Sequence, residues 1–207
     1  MKAFPKYLGL GLLPLAGFVL LSAGCSNPIL DSQAAVGVSD AVDLTGSYVF
    51  FDDFEHGTSK WTVPTSGSVS WRQLKSHTCS GDYTMLFGLD QHADFTNVAA
   101  NGDLTLNQTI DLSKVQHPYL TYQVYGASDP ATALTMQPEV SVDGTTWKPL
   151  GQQVTGTHSL MATLYANLKD YLGQAIHLRF HAESTATSTS GQGEQLDDVA
   201  VIETTGD

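Results

Sequence analysis

Four acidic residues at the ends of strand-like segments are the clearest candidates for chemistry in this sequence. Asp53 and Glu55 follow the first apolar run after residue 47, and Asp197 and Asp198 stand in the last one. In the two-residue period of a strand, Asp53 and Glu55 share a face, and Asp197 shares a face with apolar residues of its own segment. Burying a carboxylate without a partner is costly, and Lys60 is the only cation near the first group.

A calcium ion would neutralise these acids, because calcium accepts 6–8 carboxylate and backbone oxygens. We therefore expect a structural Ca²⁺ site that joins the two ends of the domain. Glu55 and Asp197 are the first predicted ligands, followed by Asp53 and Asp198. The alternative is a group of solvated acids at strand ends.

Catalytic patterns are not found in the sequence. The adjacent acids at 52–53 and 197–198 would point to opposite strand faces, so neither pair forms an acid/base couple. There is no Gly-x-Ser-x-Gly elbow, and the seven histidines show no metal-ligand spacing. Cys79 lies two residues from His77, but we interpret it as a small buried thiol. We expect no enzymatic activity.

Aromatic residues offer a second kind of site, because aromatic faces stack on the apolar side of sugar rings. Tyr119 and Tyr125 alternate with apolar residues of their strand and are candidates for an exposed ligand-binding surface. Trp71 is either a core residue or a third ligand-binding residue. Trp61 and Trp147 are expected to be core anchors.

The N-terminus predicts export and lipid attachment. Residues 1–24 comprise a basic start, an apolar run too short for an ordinary spanning helix, and small residues before Cys25. The segment Leu21-Ser-Ala-Gly-Cys25 resembles the lipobox of bacterial lipoproteins, which implies acylation of Cys25, a bilayer as partner, and a cell-envelope location at the outer membrane or cell surface. An ordinary secretory signal is the alternative.

The mature chain would be strongly acidic. Without residues 1–24 it holds 7 Lys and Arg against 21 Asp and Glu, a net charge of −14. Nucleic acids and anionic lipid headgroups need clustered basic side chains, so this balance excludes a nucleic-acid partner. Residues 25–47 are small and polar and are predicted to form a flexible tether after the lipidated cysteine.

The elements that position these candidates are short strands. Apolar and polar residues alternate along residues 119–125 and 176–182, and Asp143-Gly144 predicts a tight hairpin turn. Residues 160–168 fit a helix by composition, but their neighbours favour a strand. Residues 184–192 are expected to form a loop. The pattern predicts an all-β fold with two antiparallel sheets over residues 48–203 and a tail at 204–207.

The order of these features resembles jelly-roll accessory domains of secreted bacterial proteins, including MAM-like, immune-inhibitor-A-type and calcium-containing carbohydrate-binding modules. The residues that carry the resemblance are Asp53-Phe54-Glu55, Gly57, Trp61, Ser80-Gly81, Met85-Leu86-Phe87-Gly88, Ile110-Asp111-Leu112, Val140-Ser141-Val142-Asp143-Gly144, Trp147, Leu168, Tyr171, Gly173 and Leu196-Asp197-Asp198-Val199.

The resemblance implies a jelly-roll β-sandwich and a calcium site at the corner of Glu55 and Asp197. One departure is that Glu194 and Gln195 stand where such domains usually carry aromatic residues. We expect a lipid-anchored extracytoplasmic module that binds a glycan or a protein at the cell surface. The alternatives are a structural subunit of a surface assembly and, third, a hydrolase on the same scaffold.

Overall fold

The protein is an all-β jelly roll, seen here in a computed structural model. The structure describes residues 44, 46–64, 69–75, 80–89, 98–186 and 190–205, with the side chains at 127–129, 131, 157–160, 190 and 192 excepted. The strands are β1 Gly46–Asp52, β2 Trp61–Thr62, β3 Ser70–Leu74, β4 Thr84–Gly88, β5 Ala100–Leu106, β6 Ile110–Asp111, β7 Pro118–Asp129, β8 Leu134–Ser141, β9 Lys148–Pro149, β10 Val154–Thr155, β11 Thr157–Asn167, β12 Ala175–Ser184 and β13 Ser190–Thr204.

Two antiparallel sheets form the predicted sandwich. The first sheet has six strands in the order β11-β7-β13-β4-β3, with β1 paired to β13. The second has seven, in the order β10-β8-β12-β5-β2, with β6 on β12 and β9 on β8. Short 3₁₀ turns cover Ala131–Ala133 and Lys169–Tyr171. No helix within the described ranges is long and apolar enough to span a bilayer.

The core lies between the sheets and follows the two-residue period of the strands. On β7, Leu120, Tyr122 and Val124 are buried, as the alternation predicts. On β12, Ile176 and Phe180 are likewise fully buried. Because every second side chain of these strands enters the core, the remaining side chains form the outer faces of the sheets.

Register shifts interrupt the pairing at four places, once on β1, once on β11 and twice on β13, and two of them change which residues form the outer face of the first sheet. The register of β1 shifts between Tyr48 and Phe50. The register of β13 on β7 shifts between Asp197 and Ala200. Asp198, inside the second shift, has φ of 46°, a left-handed conformation that is unfavourable for a residue with a Cβ. Such bulges change which residues share a face.

The two ends of the domain lie side by side. Gly46, at the start of β1, pairs with Thr204, at the end of β13. The strand thus begins two residues before the predicted boundary at residue 48. At the other end of β1, the buried Asp52 accepts hydrogen bonds from Trp61 Nε1 (2.6 Å) and Lys60 Nζ (2.8 Å). This carboxylate ties the first sheet to the second.

The segments whose structure was ambiguous in the sequence are now defined. Residues 160–168 belong largely to a strand, β11, as we favoured over a helix. The Asp143-Gly144 turn is wider than predicted, because β9 pairs with β8 only from Lys148 onward. The predicted loop at 184–192 is shorter than expected, since β13 already begins at Ser190.

Candidate functional site

The outer face of the first sheet carries two rows of side chains that cross four strands. Each row contains one residue from each of the strands β1, β13, β7 and β11, paired in register across the sheet. None of these eight residues is charged. We call them the aromatic face. The first row is Tyr48, Ile202, Tyr119 and Asn167, and the second is Phe51, Ala200, Thr121 and Tyr165.

The aromatic rings of this face form two pairs. Tyr48 and Phe51 lie with ring centroids 4.9 Å apart, and they are 67% and 37% exposed. Tyr119 meets Tyr165 edge to face at 6.3 Å, and Tyr165 is 42% exposed. The amide of Asn167 donates a hydrogen bond to the Tyr119 hydroxyl at 2.9 Å, which orients that ring.

Between the two pairs runs β13. Its Ala200 and Ile202 belong to the outer face, yet both are buried at 2% and 5% exposure. They therefore form an apolar floor, with a ring pair on either side. The arrangement offers exposed aromatic surface flanked by hydroxyl and amide groups, which suits an uncharged ligand with apolar and hydrogen-bonding sides.

The structure places the predicted ligand-binding residues in different locations. Tyr119 lies on the aromatic face, and Tyr125 is half-buried on β7, on the same side of the sheet. Trp71 does not belong to a surface: it is 1% exposed, packs against Phe87 at 5.6 Å and donates its Nε1 hydrogen to the Gly102 carbonyl. Its ring offers no free side to a ligand, which corrects that expectation.

Three of the four aromatic rings of this face, those of Tyr48, Phe51 and Tyr165, were not anticipated from the sequence. Tyr48 and Phe51 are three residues apart, a spacing that places residues of a regular strand on opposite faces. The register shift in β1 brings both to the same side. Tyr165 lies between Leu164 and Ala166, which face the core, so the two-residue period of a strand could have predicted its outward position.

Trp147 is half-buried and lies outside the core, contrary to the expected core role. Its ring stacks on the guanidinium of Arg179, 4.4 Å from the ring centroid, on the outer face of the second sheet. Arg179 also forms ion pairs with Glu139 (2.6 Å) and Asp103 (2.7 Å), and His181 contacts Asp103. Trp61, in contrast, is 4% exposed in the core, as predicted.

The acidic corner, formed by Asp53, Glu55 and Asp198, combines a turn after β1 with the bulged part of β13. β1 ends at Asp52, and Phe54 has φ of 58°, so Asp53 and Glu55 lie on a turn and do not share a strand face. Glu55 Oε1 accepts hydrogen bonds from the backbone N–H groups of Asp82 (2.7 Å) and Tyr83 (2.6 Å). This carboxylate therefore fixes the turn before β4.

Asp198 faces the same corner from β13. Its carboxylate accepts hydrogen bonds from Ser80 Oγ (2.6 Å) and Gln123 Nε2 (3.0 Å). Burial, and then the nearby negative charges of Asp53 and Glu55, raise the pKa of Asp198, while the Ser80 bond lowers it. The corner thus concentrates negative charge around Asp198.

Asp197 is fully buried and accepts a hydrogen bond from the Asp198 N–H at 2.8 Å. The bulge after it changes the face: Val199 and Val201 enter the core, while Asp197 pairs with Gln123 on the outer side. The expectation that Asp197 shares a strand face with Val199 and Val201 is therefore wrong. In the described ranges, no three His, Cys, Asp or Glu side chains converge as metal ligands do. Cys25, Cys79 and His77 lie outside the described residues.

A third buried acid, besides Asp52 and Asp197, lies inside the sandwich. Glu194 is fully buried, and neither carboxylate oxygen has a hydrogen-bond partner. A side chain on Gly126 would overlap this carboxylate, which packs closely against the β7 backbone. Burial raises the pKa of Glu194 well above its ordinary value. Burial and the charge of Glu194 also raise the pKa of the neighbouring Tyr122.

Comparison with known proteins supports the fold. No family model matches the sequence, and no curated protein matches it either. Among solved structures, Caldicellulosiruptor saccharolyticus CBM27-1 in complex with mannohexaose is similar with a TM-score of 0.52 and 13% identity, over 79% of this chain and 100% of that one. TmCBM61 in complex with β-1,4-galactotriose gives 0.51 and 17%, over 73% and 94%. The C-terminal family 22 carbohydrate-binding module of Clostridium thermocellum Xyn10B gives 0.50 and 14%, over 80% and 100%. At these identities the likeness concerns the fold alone, and the chain has the jelly-roll β-sandwich fold of carbohydrate-binding modules.

Proposed function

We propose that this protein is a non-catalytic module that binds uncharged glycans on the aromatic face. The observation that carries the proposal is the pair of uncharged rows with four aromatic rings, three exposed and one half-buried, on a chain of formal net charge −12. Pyranose rings have apolar sides that stack on aromatic faces and hydroxyls that bond to amides and tyrosine oxygens. Two of the similar modules named above were solved with neutral oligosaccharides, which supports this choice.

Binding is measured by affinity electrophoresis of the full-length protein in mild detergent, in gels that contain soluble galactan, mannan or xylan. Polygalacturonate serves as the acidic polysaccharide. We expect retardation by at least one neutral polymer and none by polygalacturonate. Tyr165→Ala should weaken binding about tenfold, which corresponds to about 1.4 kcal/mol for one stacking ring.

Trp147→Ala is the matched control, because it removes an aromatic ring from the opposite sheet. The proposal requires this variant to bind as the wild type does. Loss of binding in Trp147→Ala with full binding in Tyr165→Ala would assign the site to the second sheet. If no polysaccharide binds while a cell-surface protein does, the alternative of a protein ligand replaces this one.

We further propose a structural calcium ion at the acidic corner. Asp53, Glu55 and Asp198 fit calcium by ligand type, since they bring oxygen donors and negative charge together there. Asp197 orients Asp198, because its carboxylate accepts a hydrogen bond from the Asp198 backbone N–H. Because the described side chains alone do not form a ligand cluster, backbone oxygens of the two left-handed turns, at Phe54 and Asp198, would complete the set.

The proposal includes a cell-envelope location with the chain anchored to a bilayer through acylated Cys25. It rests on the sequence segment that ends at Cys25. A tether of residues 26–45 would then separate the lipidated cysteine from β1. At about 3.3 Å per residue, 20 such residues reach up to roughly 66 Å, enough to hold the aromatic face clear of the membrane.

A further inference from the structure

The edges of β-sheets expose unpaired backbone N–H and C=O groups, which can pair with another strand. In this fold β11 forms one edge of the first sheet. Within the described part of the chain it pairs only with β7. It spans 11 residues from Thr157 to Asn167, and after a register shift between His158 and Ala162 the residues from Ala162 to Asn167 pair regularly with β7. This strand therefore presents a row of backbone groups along its second side.

The other edges of the sandwich are short or carry charge. β2 and β10, at the edges of the second sheet, have two residues each. β3, at the far edge of the first sheet, has five residues and includes Arg72. On β1, Lys60 Nζ donates a hydrogen bond to the Phe51 carbonyl at 3.0 Å. Short strands and lysines are the usual protection of an edge.

Over Ala162–Asn167, the part of β11 that pairs regularly, the strand has neither protection. Its sequence, Thr-His-Ser-Leu-Met-Ala-Thr-Leu-Tyr-Ala-Asn, contains no Lys, Arg, Asp, Glu or Pro. Charged residues make up 14% of the whole chain, and acids outnumber bases 21 to 9. Two copies of so acidic a chain repel each other except where the contact itself is uncharged. β11 is uncharged, so it can form such a contact.

We propose that β11 pairs antiparallel with β11 of a second copy across a two-fold axis, which joins the first sheets of both copies into one. A two-fold contact brings the same segment to both sides, so an uncharged strand is matched by an uncharged strand. The two copies of β11 contribute equal numbers of backbone donors and acceptors, as antiparallel pairing requires.

The pairing would extend the aromatic face. Tyr165 and Asn167 lie on β11, at the border of that face. Joining two copies at this border places two aromatic faces on one continuous sheet surface, so that one polymer chain can contact both. This consequence rests on the proposed function, whereas the pairing itself does not.

The test uses the full-length protein in mild detergent, examined by sedimentation velocity over a hundredfold dilution series. Thr163 is exposed on β11 and lies outside the eight residues of the aromatic face. Thr163→Lys and Thr163→Glu each place like charges near the axis. Thr145→Lys is the matched control, because Thr145 is an exposed threonine on the turn between β8 and β9.

We expect the wild type and Thr145→Lys to form a dimer that dissociates on dilution, with both Thr163 variants monomeric under the same conditions. An equimolar mixture of Thr163→Lys and Thr163→Glu should dimerise again, since opposite charges then face each other across the axis. Thermal unfolding of each variant shows whether it is folded.

A wild type that stays monomeric at every concentration overturns the pairing, and so does a folded Thr163→Lys that dimerises like the control. In the first case the edge remains available to a strand of another protein. Glycan binding does not enter the measurement, so failure here leaves the proposed function unaffected, and the reverse also holds.

Discussion

Replacing Glu194 by Gln should stabilise the domain at neutral pH. Glu194 is fully buried without a hydrogen-bond partner for either oxygen, and burial alone raises its pKa well above the ordinary value of 4.5. The native carboxyl therefore keeps its proton at a pH where the unfolded chain has already released it. Stability from this group is fully present below the unfolded pKa and is lost as the pH rises toward the raised native pKa.

The magnitude follows from proton linkage. Between the two pKa values, each pH unit lowers the free energy of unfolding by about 1.4 kcal/mol. This loss continues for as long as the native carboxyl stays protonated, up to its raised pKa. Glutamine has nearly the same size and does not titrate, so the variant should lack this loss. In a domain of this size each pH unit of such loss corresponds to about 3–6 °C in Tm.

The assay is urea unfolding of the wild type and Glu194→Gln at pH 4, 5, 6 and 7, followed by tryptophan fluorescence. The two proteins should be nearly equal at pH 4 and diverge as the pH rises. Glu183→Gln provides the control, because Glu183 is exposed on β12 and undergoes the same chemical change. A difference between wild type and Glu194→Gln that stays constant from pH 4 to pH 7 would refute the linkage argument.

Three further predictions concern the other acids and the anchor. Calcium should raise Tm relative to EGTA, by the equivalent of about 2.7 kcal/mol at a hundredfold excess over Kd, and Glu55→Gln should abolish the difference; equal midpoints would reduce the acidic corner to surface charge. Asp52→Ala should lower the free energy of unfolding by about 1–3 kcal/mol in urea, because it leaves the buried Trp61 N–H unpaired, and an unchanged midpoint would contradict this. The mature chain should begin at an acylated Cys25 and partition into detergent, whereas Cys25→Ala should not; intact mass spectrometry of an unmodified chain would rule out the anchor.

The regular parts of the fold were predictable because a strand has a fixed period. Leu120, Tyr122 and Val124 enter the core in the order that alternation requires, and Tyr119 lies on the opposite side. The same rule identified β12 as a strand with a polar outer side. Where a strand keeps its pairing register, as β12 does against both of its neighbours, sequence alone suffices.

The site was less predictable because its residues lie where the period changes. The bulges near Tyr48 and Asp198 are produced by tertiary pairing and have no marker in the sequence. They moved Phe51 outward and Asp197 away from the face of Val199. The prediction for Trp147 was wrong for a different reason. A stacked arginine can cover an aromatic ring outside the core, and the sequence does not distinguish such a position from a core position.

The pairing of Gly46 with Thr204 has a consequence for how such a domain can be combined with other proteins. Neighbouring strands lie about 4.8 Å apart, so the polypeptide enters and leaves the fold at nearly one point. A unit of this kind can be inserted into a surface loop of a host protein without separating the two sides of that loop. The same proximity permits the ends to be joined by a short linker and new ends to be opened at an exposed turn. The domain could therefore be placed at different positions in a longer polypeptide without a change in its internal packing.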